Sequence, residues 1–291
     1  MKKEEIRIRD PFVLPYEGKY YMYGVGMYSD DTMSRENADR QILCYISDDL
    51  DNWSEAIVCF EAPLDFWARK KEYWAPEVHC YKGKFYMFVT FIGEGKMRAT
   101  QALVSETPTG PFRVWSEPLT PADWMCLDGT LYIENEVPYL VFCHEWVQAR
   151  DGGIAFVPLK EDLSGTDGET EVLFRASQSG WAHPITEDRQ GFVTDGPWIV
   201  KEEDGLYMFW SSFQNGNYAV GIAMSESGTL AGPWKHSTQL LFEKDGGHCM
   251  TFHGFNGKRY IALHQPNTRL QERARFLEIE KIDCGFAIIN E

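Results

Sequence analysis

The sequence predicts an all-β protein, and within that class a five-bladed β-propeller with four antiparallel strands per blade. Three observations carry the prediction. A unit recurs five times along the 291 residues: a small acidic or polar start, an apolar strand, a tight turn, and an alternating strand rich in rings. Pro and Gly, 14 and 25 in number, interrupt nearly every apolar stretch, so helical signals stay weak. Aromatic residues make up 14% of the chain, a composition that suits pleated, half-buried surfaces. A large sandwich would explain the alternation but not the repeat. A radial array of five sheets explains both and leaves only short edges around a central channel.

The first unit runs from Asp10-Pro11-Phe12-Val13-Leu14 through a turn at Gly18 to Lys19-Tyr20-Tyr21-Met22-Tyr23-Gly24. The second opens at Pro76-Glu77-Val78-His79-Cys80, turns at Gly83 and returns as Lys84-Phe85-Tyr86-Met87-Phe88-Val89. Asp128-Gly129-Thr130-Leu131-Tyr132-Ile133, a turn near Asn135 and Pro138-Tyr139-Leu140-Val141-Phe142 form the third. The fourth pairs Asp195-Gly196-Pro197-Trp198-Ile199-Val200 with Leu206-Tyr207-Met208-Phe209-Trp210 around Gly205. In the fifth, Gly247-His248-Cys249-Met250-Thr251-Phe252 turns at Gly257 into Lys258-Arg259-Tyr260-Ile261-Ala262-Leu263. The tails repeat as well. Ile42–Ser47 leads to Asp49–Trp53, Gln101–Ser105 to Thr109–Phe112, and Gly221–Ser225 to Ala231–Trp234, each a third strand, a turn and a fourth strand. The units consume the chain, so residues 1–291 are expected to form one propeller domain.

Charge and termini narrow the partners. With 44 Asp+Glu against 28 Lys+Arg the net charge is −16, which repels a phosphate backbone and argues against nucleic acid. No run of 18 apolar residues occurs, so no membrane-spanning helix is expected. Residues Met1–Arg9 lack an apolar leader core, and the seven Cys (44, 59, 80, 126, 143, 249 and 284) are odd in number with no CxxC pair. Reduced, buried thiols and a cytoplasmic location are the expectation, a secreted chain trimmed of its leader being the alternative.

In a propeller the first strand of each blade is innermost, and the second returns to the face where the first begins. The starts give Asp10, Glu77, Asp128, Asp195 and His248, one per unit. The second-strand ends add Phe91, His144, Glu145, Trp146, Ser211, Ser212, Phe213 and His264. Four carboxyls and a His around one channel disfavour full ionisation and push at least one pKa upward. One raised and one ionised carboxyl is what glycosidic hydrolysis needs. Trp74, Trp124, Trp146, Trp198 and Phe213 would present flat faces to sugar rings at the rim. Any single Asp at a strand start can instead serve local backbone N–H groups. His183 beside Pro184 reads equally well as a loop support, and Arg273 and Arg275 as strand-pairing residues.

These motifs, taken in order, resemble glycoside hydrolase family 43 over essentially the whole chain. Arg9-Asp10-Pro11 resembles the first-blade motif whose Asp is the general base. Trp74-Ala75-Pro76-Glu77-Val78 is similar to the Trp-Ala-Pro-Asp segment, with Glu77 in place of Asp. Leu127-Asp128-Gly129 is similar to the Ile-Asp-Pro segment, whose Asp tunes and orients the general acid. Thr194-Asp195-Gly196-Pro197 falls where the family has Glu-Gly-Pro, whose Glu is that acid. Gly247-His248 resembles the fifth-blade Gly-His, whose His lies at the channel centre and in some members helps hold calcium through water.

The resemblance implies an inverting glycosidase with Asp10 as base, Asp195 as acid and Asp128 as its modulator. Base and acid would stand about 6.5–9.5 Å apart. Trp74, Glu77, Trp146, Trp198, Phe213 and His248 would line the sugar site. It implies no required cofactor, a calcium ion near His248 being the metal it leaves open. The substrate would be an oligosaccharide or polysaccharide, with α-L-arabinofuranosides first and β-D-xylosides second. Asp195 is one methylene shorter than the expected Glu, which gives two further readings: Glu145 as a reserve acid, or a carbohydrate-binding propeller without hydrolysis. A phosphorylase would need clustered basic groups that the strand starts lack. A WD-type scaffold would need closing Trp-Asp signatures, which are absent.

Overall fold

The computed structural model describes residues 1–25, 41–68, 73–185, 188, 190–283 and 285–290. Its strands form five sheets of four, each antiparallel and ordered as in the sequence. Blade one comprises Phe12–Tyr16, Lys19–Val25, Gln41–Ser47 and Ile57–Glu61. Blade two comprises Tyr73–Tyr81, Lys84–Phe91, Ala99–Ser105 and Arg113–Pro118. Blade three comprises Cys126–Glu134, Val137–His144, Gly153–Pro158 and Glu171–Arg175. Asp195–Glu202, Gly205–Gln214, Asn217–Ser225 and Trp234–His236 make blade four. Gly247–His253, Arg259–Gln265, Arg273–Ile282 and Gly285–Asn290 make blade five. Among the described residues the only α-helix is one turn, Trp146–Ala149.

The tight turns explain the registers. Glu17-Gly18, Lys82-Gly83, Asn135-Glu136 and Asn215-Gly216 all have positive φ, the conformation that lets a two-residue loop follow the strand twist. The rings expected on the second strands pack from blade to blade. Tyr16 meets Phe85 edge-on at 5.0 Å, Phe60 meets Phe91 at 6.1 Å, and Tyr20 meets Phe255 at 4.9 Å. Burying such side chains contributes roughly 1.5–3 kcal/mol each, so apolar wedges carry much of the contact between blades.

The segment before blade one lies along blade five. Ile6 and Ile8 are buried, the Ile8 N–H donates to the Glu272 carbonyl at 3.3 Å, and Arg7 bridges to Arg273. Arg273 is committed there, its Nε donating to the Glu4 carbonyl, while Arg275 bonds Gln265.

Cys44, Cys59, Cys126, Cys143 and Cys249 are free and buried, but Cys80 is exposed. The expectation of a buried thiol fails there because Cys80 sits close to the Lys82-Gly83 turn, where the strand leaves the core. Cys284 lies outside the described residues.

Candidate active site

A β-bulge opens the first strand of blades two to five. In blade two the pairing jumps from Trp74↔Thr90 to Glu77↔Phe88, so Ala75 and Pro76 oppose one residue. The same jump follows Leu127↔Cys143, Asp195↔Ser211 and Gly247↔His264. The first bulge residue is left-handed each time: Ala75 at φ 45°, Asp128 at 58°, Gly196 at 49° and His248 at 52°. Asp10, at φ 51°, stands two residues before Phe12 just as His248 stands two before Met250. The equivalent ring is therefore Asp10, Ala75, Asp128, Gly196 and His248. Asp195 falls one residue before it and Glu77 two after, a correction to the sequence-based register.

The bulges turn three of these side chains onto one another. His248 Nδ1 lies 3.3 Å from Asp10 Oδ1 and 3.6 Å from Asp128 Oδ2. The Gly196 N–H donates to Asp128 Oδ2 at 3.0 Å, and the His248 N–H to Ser211 Oγ at 2.8 Å. A Cβ on Gly196 would lie 2.9 Å from the His248 ring. Blade four therefore needs glycine at its bulge, and its carboxyl comes from the preceding residue. Asp195 Oδ2 accepts from the Tyr218 hydroxyl at 2.9 Å. His264 Nδ1 accepts the Asp10 N–H at 3.3 Å, with Nε2 3.2 Å from Asn267 Oδ1. Asp10 Oδ1 is buried and 3.1 Å from His264 Nδ1, yet no protein donor is aligned on it.

Electrostatics separate the three acids. Burial acts to raise the Asp10 carboxyl, but His248, His264 and Arg9 outweigh it and hold the group below the usual carboxylate range. Burial also raises Asp195, and here His248, Tyr218 and Arg9 offset it only in part, leaving a pKa of about 6. Asp128 is pushed up furthest, by burial and then by the charges of Asp195 and Asp10. Asp128 and Asp195 thus act as a pair that gives up its protons late, beside an Asp10 that stays ionised.

The outer candidates divide. Trp74 is half-buried with the Arg98 guanidinium 3.8 Å above its ring. Trp124 stacks on His144 at 4.2 Å, Trp146 is half-buried at the start of the helical turn, and Phe213 lies 5.2 Å from Tyr218. Trp198 is not at the rim. It packs in the channel beneath, against Phe12 and His79, with Nε1 on Thr251, because it comes two residues after the bulge. Glu77 is at that deeper level too, its Oε2 3.1 Å from His79 Nε2. Glu145 is a buried ion-pair partner of Arg98, which ties up the carboxylate a reserve acid would need. His183 is exposed and takes the Asn215 N–H on Nδ1, a loop support.

Sequence reasoning passed over Arg9, Tyr218 and Glu272. Arg9 Nε is 3.7 Å from Asp10 Oδ1, and Arg9 Nη1 is 3.1 Å from Oε1 of Glu272, whose side chain is 1% exposed. Arg9 was legible as the neighbour of Asp10. Tyr218 lies in the third strand of blade four and Glu272 just before that of blade five, positions that no first-strand rule selects. Among the described residues no three His, Cys, Asp or Glu are grouped to hold a metal directly, so a calcium ion near His248 would take most of its oxygens from water. His248 Nδ1 faces two carboxylates, whereas calcium wants six to eight oxygens.

The model for the family described as Glycosyl hydrolases family 43 matches residues 5–284. The chain belongs to that family. Over 97% of its length, this family 43 chain superposes on 98% of the endo-arabinase from Bacteroides thetaiotaomicron, with a TM-score of 0.88 and 38% identity. It is 27% identical over 202 residues to Alpha-L-arabinofuranosidase 43 of Humicola insolens, covering 60% of this chain and 38% of that protein. The family 43 chain thus spans well under half the length of that relative. It is also 21% identical over 304 residues to the Extracellular exo-alpha-(1->5)-L-arabinofuranosidase ArbA of Cellvibrio japonicus, covering 90% of this chain and 79% of that protein. That relative is named extracellular, which overturns the cytoplasmic expectation. Thiols that are buried and free place no demand on a reducing compartment.

Proposed function

We propose that this chain hydrolyses glycosidic bonds in pentose-containing oligosaccharides or polysaccharides with inversion, α-L-arabinofuranosides first and β-D-xylosides second. One observation carries the reading: a single buried cluster holds Asp10 ionised and Asp195 protonated toward neutral pH. The names of the arabinan-active relatives support the substrate class.

In this mechanism Asp10 accepts a proton from water as its oxygen attacks the anomeric carbon. The bond to the leaving oxygen breaks, its electron pair stays on that oxygen, and the oxygen takes the proton of Asp195. Solvent then removes the proton from Asp10 and returns one to Asp195. Asp128 titrates late beside Asp195, and its Oδ2 accepts from the adjacent Gly196 amide and so braces the acid's strand. The buried Oδ1 of Asp10, with no protein donor aligned on it, suits a base that must receive a proton. The missing methylene of Asp195 does not favour a binding-only propeller, since its reach depends on a register one residue ahead of the bulge as well as on side-chain length.

The test is a screen on aryl α-L-arabinofuranoside and β-D-xyloside, with arabino- and xylo-oligosaccharides and the product anomer followed by NMR. Inverted product from an arabinoside is expected. Silence on every pentoside, or retained configuration, would overturn the proposal.

A further inference from the structure

We propose that the stacked Tyr218–His264 pair is the positioning element that fixes Asp195 relative to Asp10, an inference that rests on the acid and base reading above. Four groups form a chain across three blades. Tyr218, from the third strand of blade four and 1% exposed, donates its hydroxyl to Asp195 Oδ2 at 2.9 Å. Its ring stacks on that of His264, from blade five, with centroids 5.5 Å apart and planes 20° from parallel. His264 then accepts the Asp10 N–H, at the left-handed residue that begins blade one.

Each ring has little freedom. His264 is fully buried and its other nitrogen faces Asn267, so donor and acceptor roles are both assigned. Tyr218 is held on a second side by Phe213 and on a third by Gly247, where a Cβ would come within 2.6 Å of Cε1. That contact accounts for the glycine before His248. Asp195 is faced by Tyr218, His248, Arg9, Asp10 and Asp128. The Tyr218 bond engages Oδ2 and leaves Oδ1 to carry the proton. A carboxyl on a short stem gains most from such fixing, because a misplacement of about 1 Å can cost on the order of 10²-fold in rate.

The experiment compares Tyr218→Phe and His264→Phe, each of which keeps a ring and deletes hydrogen bonds, on 2,4-dinitrophenyl and phenyl α-L-arabinofuranosides. Tyr218→Phe is expected to lose roughly 10²-fold in kcat on the phenyl substrate, with KM unchanged, and to stay near wild type on the activated one. His264→Phe should lose kcat on both alike, since it disturbs the base. Asp195→Asn is the reference for the acid reading: it must lose far more on the phenyl substrate, and if it does not, that reading itself fails. If Asp195→Asn shows the dependence and Tyr218→Phe does not, the spacer proposal alone is overturned. Should His264→Phe fail to fold, the Tyr218→Phe comparison decides by itself.

Discussion

Left-handed backbone at the hairpin turns and at the first-strand starts is tolerated for different reasons. At the turns of blades one, two and four it falls on Glu17-Gly18, Lys82-Gly83 and Asn215-Gly216, and a Cβ added to any of the three glycines would meet nothing within 4 Å. At the strand starts it falls on Asp10, ahead of blade one, and on the bulge residues Ala75, Asp128, His248 and Gly196, where a Cβ added to Gly196 would strike His248. A strained φ on a non-glycine residue costs of order 1–3 kcal/mol. The turns avoid it at Gly18, Gly83 and Gly216 and carry it only on the exposed partners Glu17, Lys82 and Asn215. The bulges accept it, because only that conformation swings consecutive first-strand side chains onto one axis.

Substitutions can break this contrast, and the largest effect should come from the left-handed start of blade one. Asp10→Asn keeps the shape and removes the base, so kcat is expected to fall by about 10³-fold or more while oligosaccharide binding, measured by calorimetry, persists. Gly196→Ala adds one methyl at a bulge and should cost roughly 10²-fold in kcat, because it displaces His248 from Asp10 and Asp128. Gly18→Ala adds the same methyl at a turn. It should cost about 1 kcal/mol in urea unfolding and nothing in kcat.

Titration sharpens the contrast further. With Asp195 at about 6, the alkaline limb of kcat/KM should fall near that pH, as the acid loses its proton. The same shift makes the fold's stability fall with rising pH, and its sign follows from linkage. The folded protein holds this proton more tightly than the unfolded chain, whose Asp titrates near 3.8. The stabilisation is therefore complete below that value and is lost as pH rises through about 6. Asp195→Asn should raise stability above pH 6 by on the order of 3 kcal/mol and leave it unchanged near pH 3.5. Thermal melts across that range check it. Glu145→Gln, by contrast, removes the carboxylate paired with the buried Arg98 and should destabilise by about 1–3 kcal/mol while leaving the alkaline limb in place.

Much of this was legible before the fold was known. The repeat announced five blades because each must bury the same apolar faces, and Asp10, Asp128 and His248 were recognisable as strand starts. Asp195 and Glu77 were found but set in the wrong register, because a bulge is a pairing property and leaves no mark on one strand's sequence. Trp198 went to the rim for the same reason. Glu145 misled because its partner, Arg98, lies in another blade, and Tyr218 stayed hidden because its hydroxyl reaches the centre from a third strand.

The Arg9–Glu272 ion pair joins residues separated by 263 positions. During synthesis Asp10 precedes His264 by 254 positions. The Glu272 carboxylate that holds Arg9 and the imidazole that holds the Asp10 amide therefore arrive only with the fifth blade, and the closing of the ring is the step that completes the site.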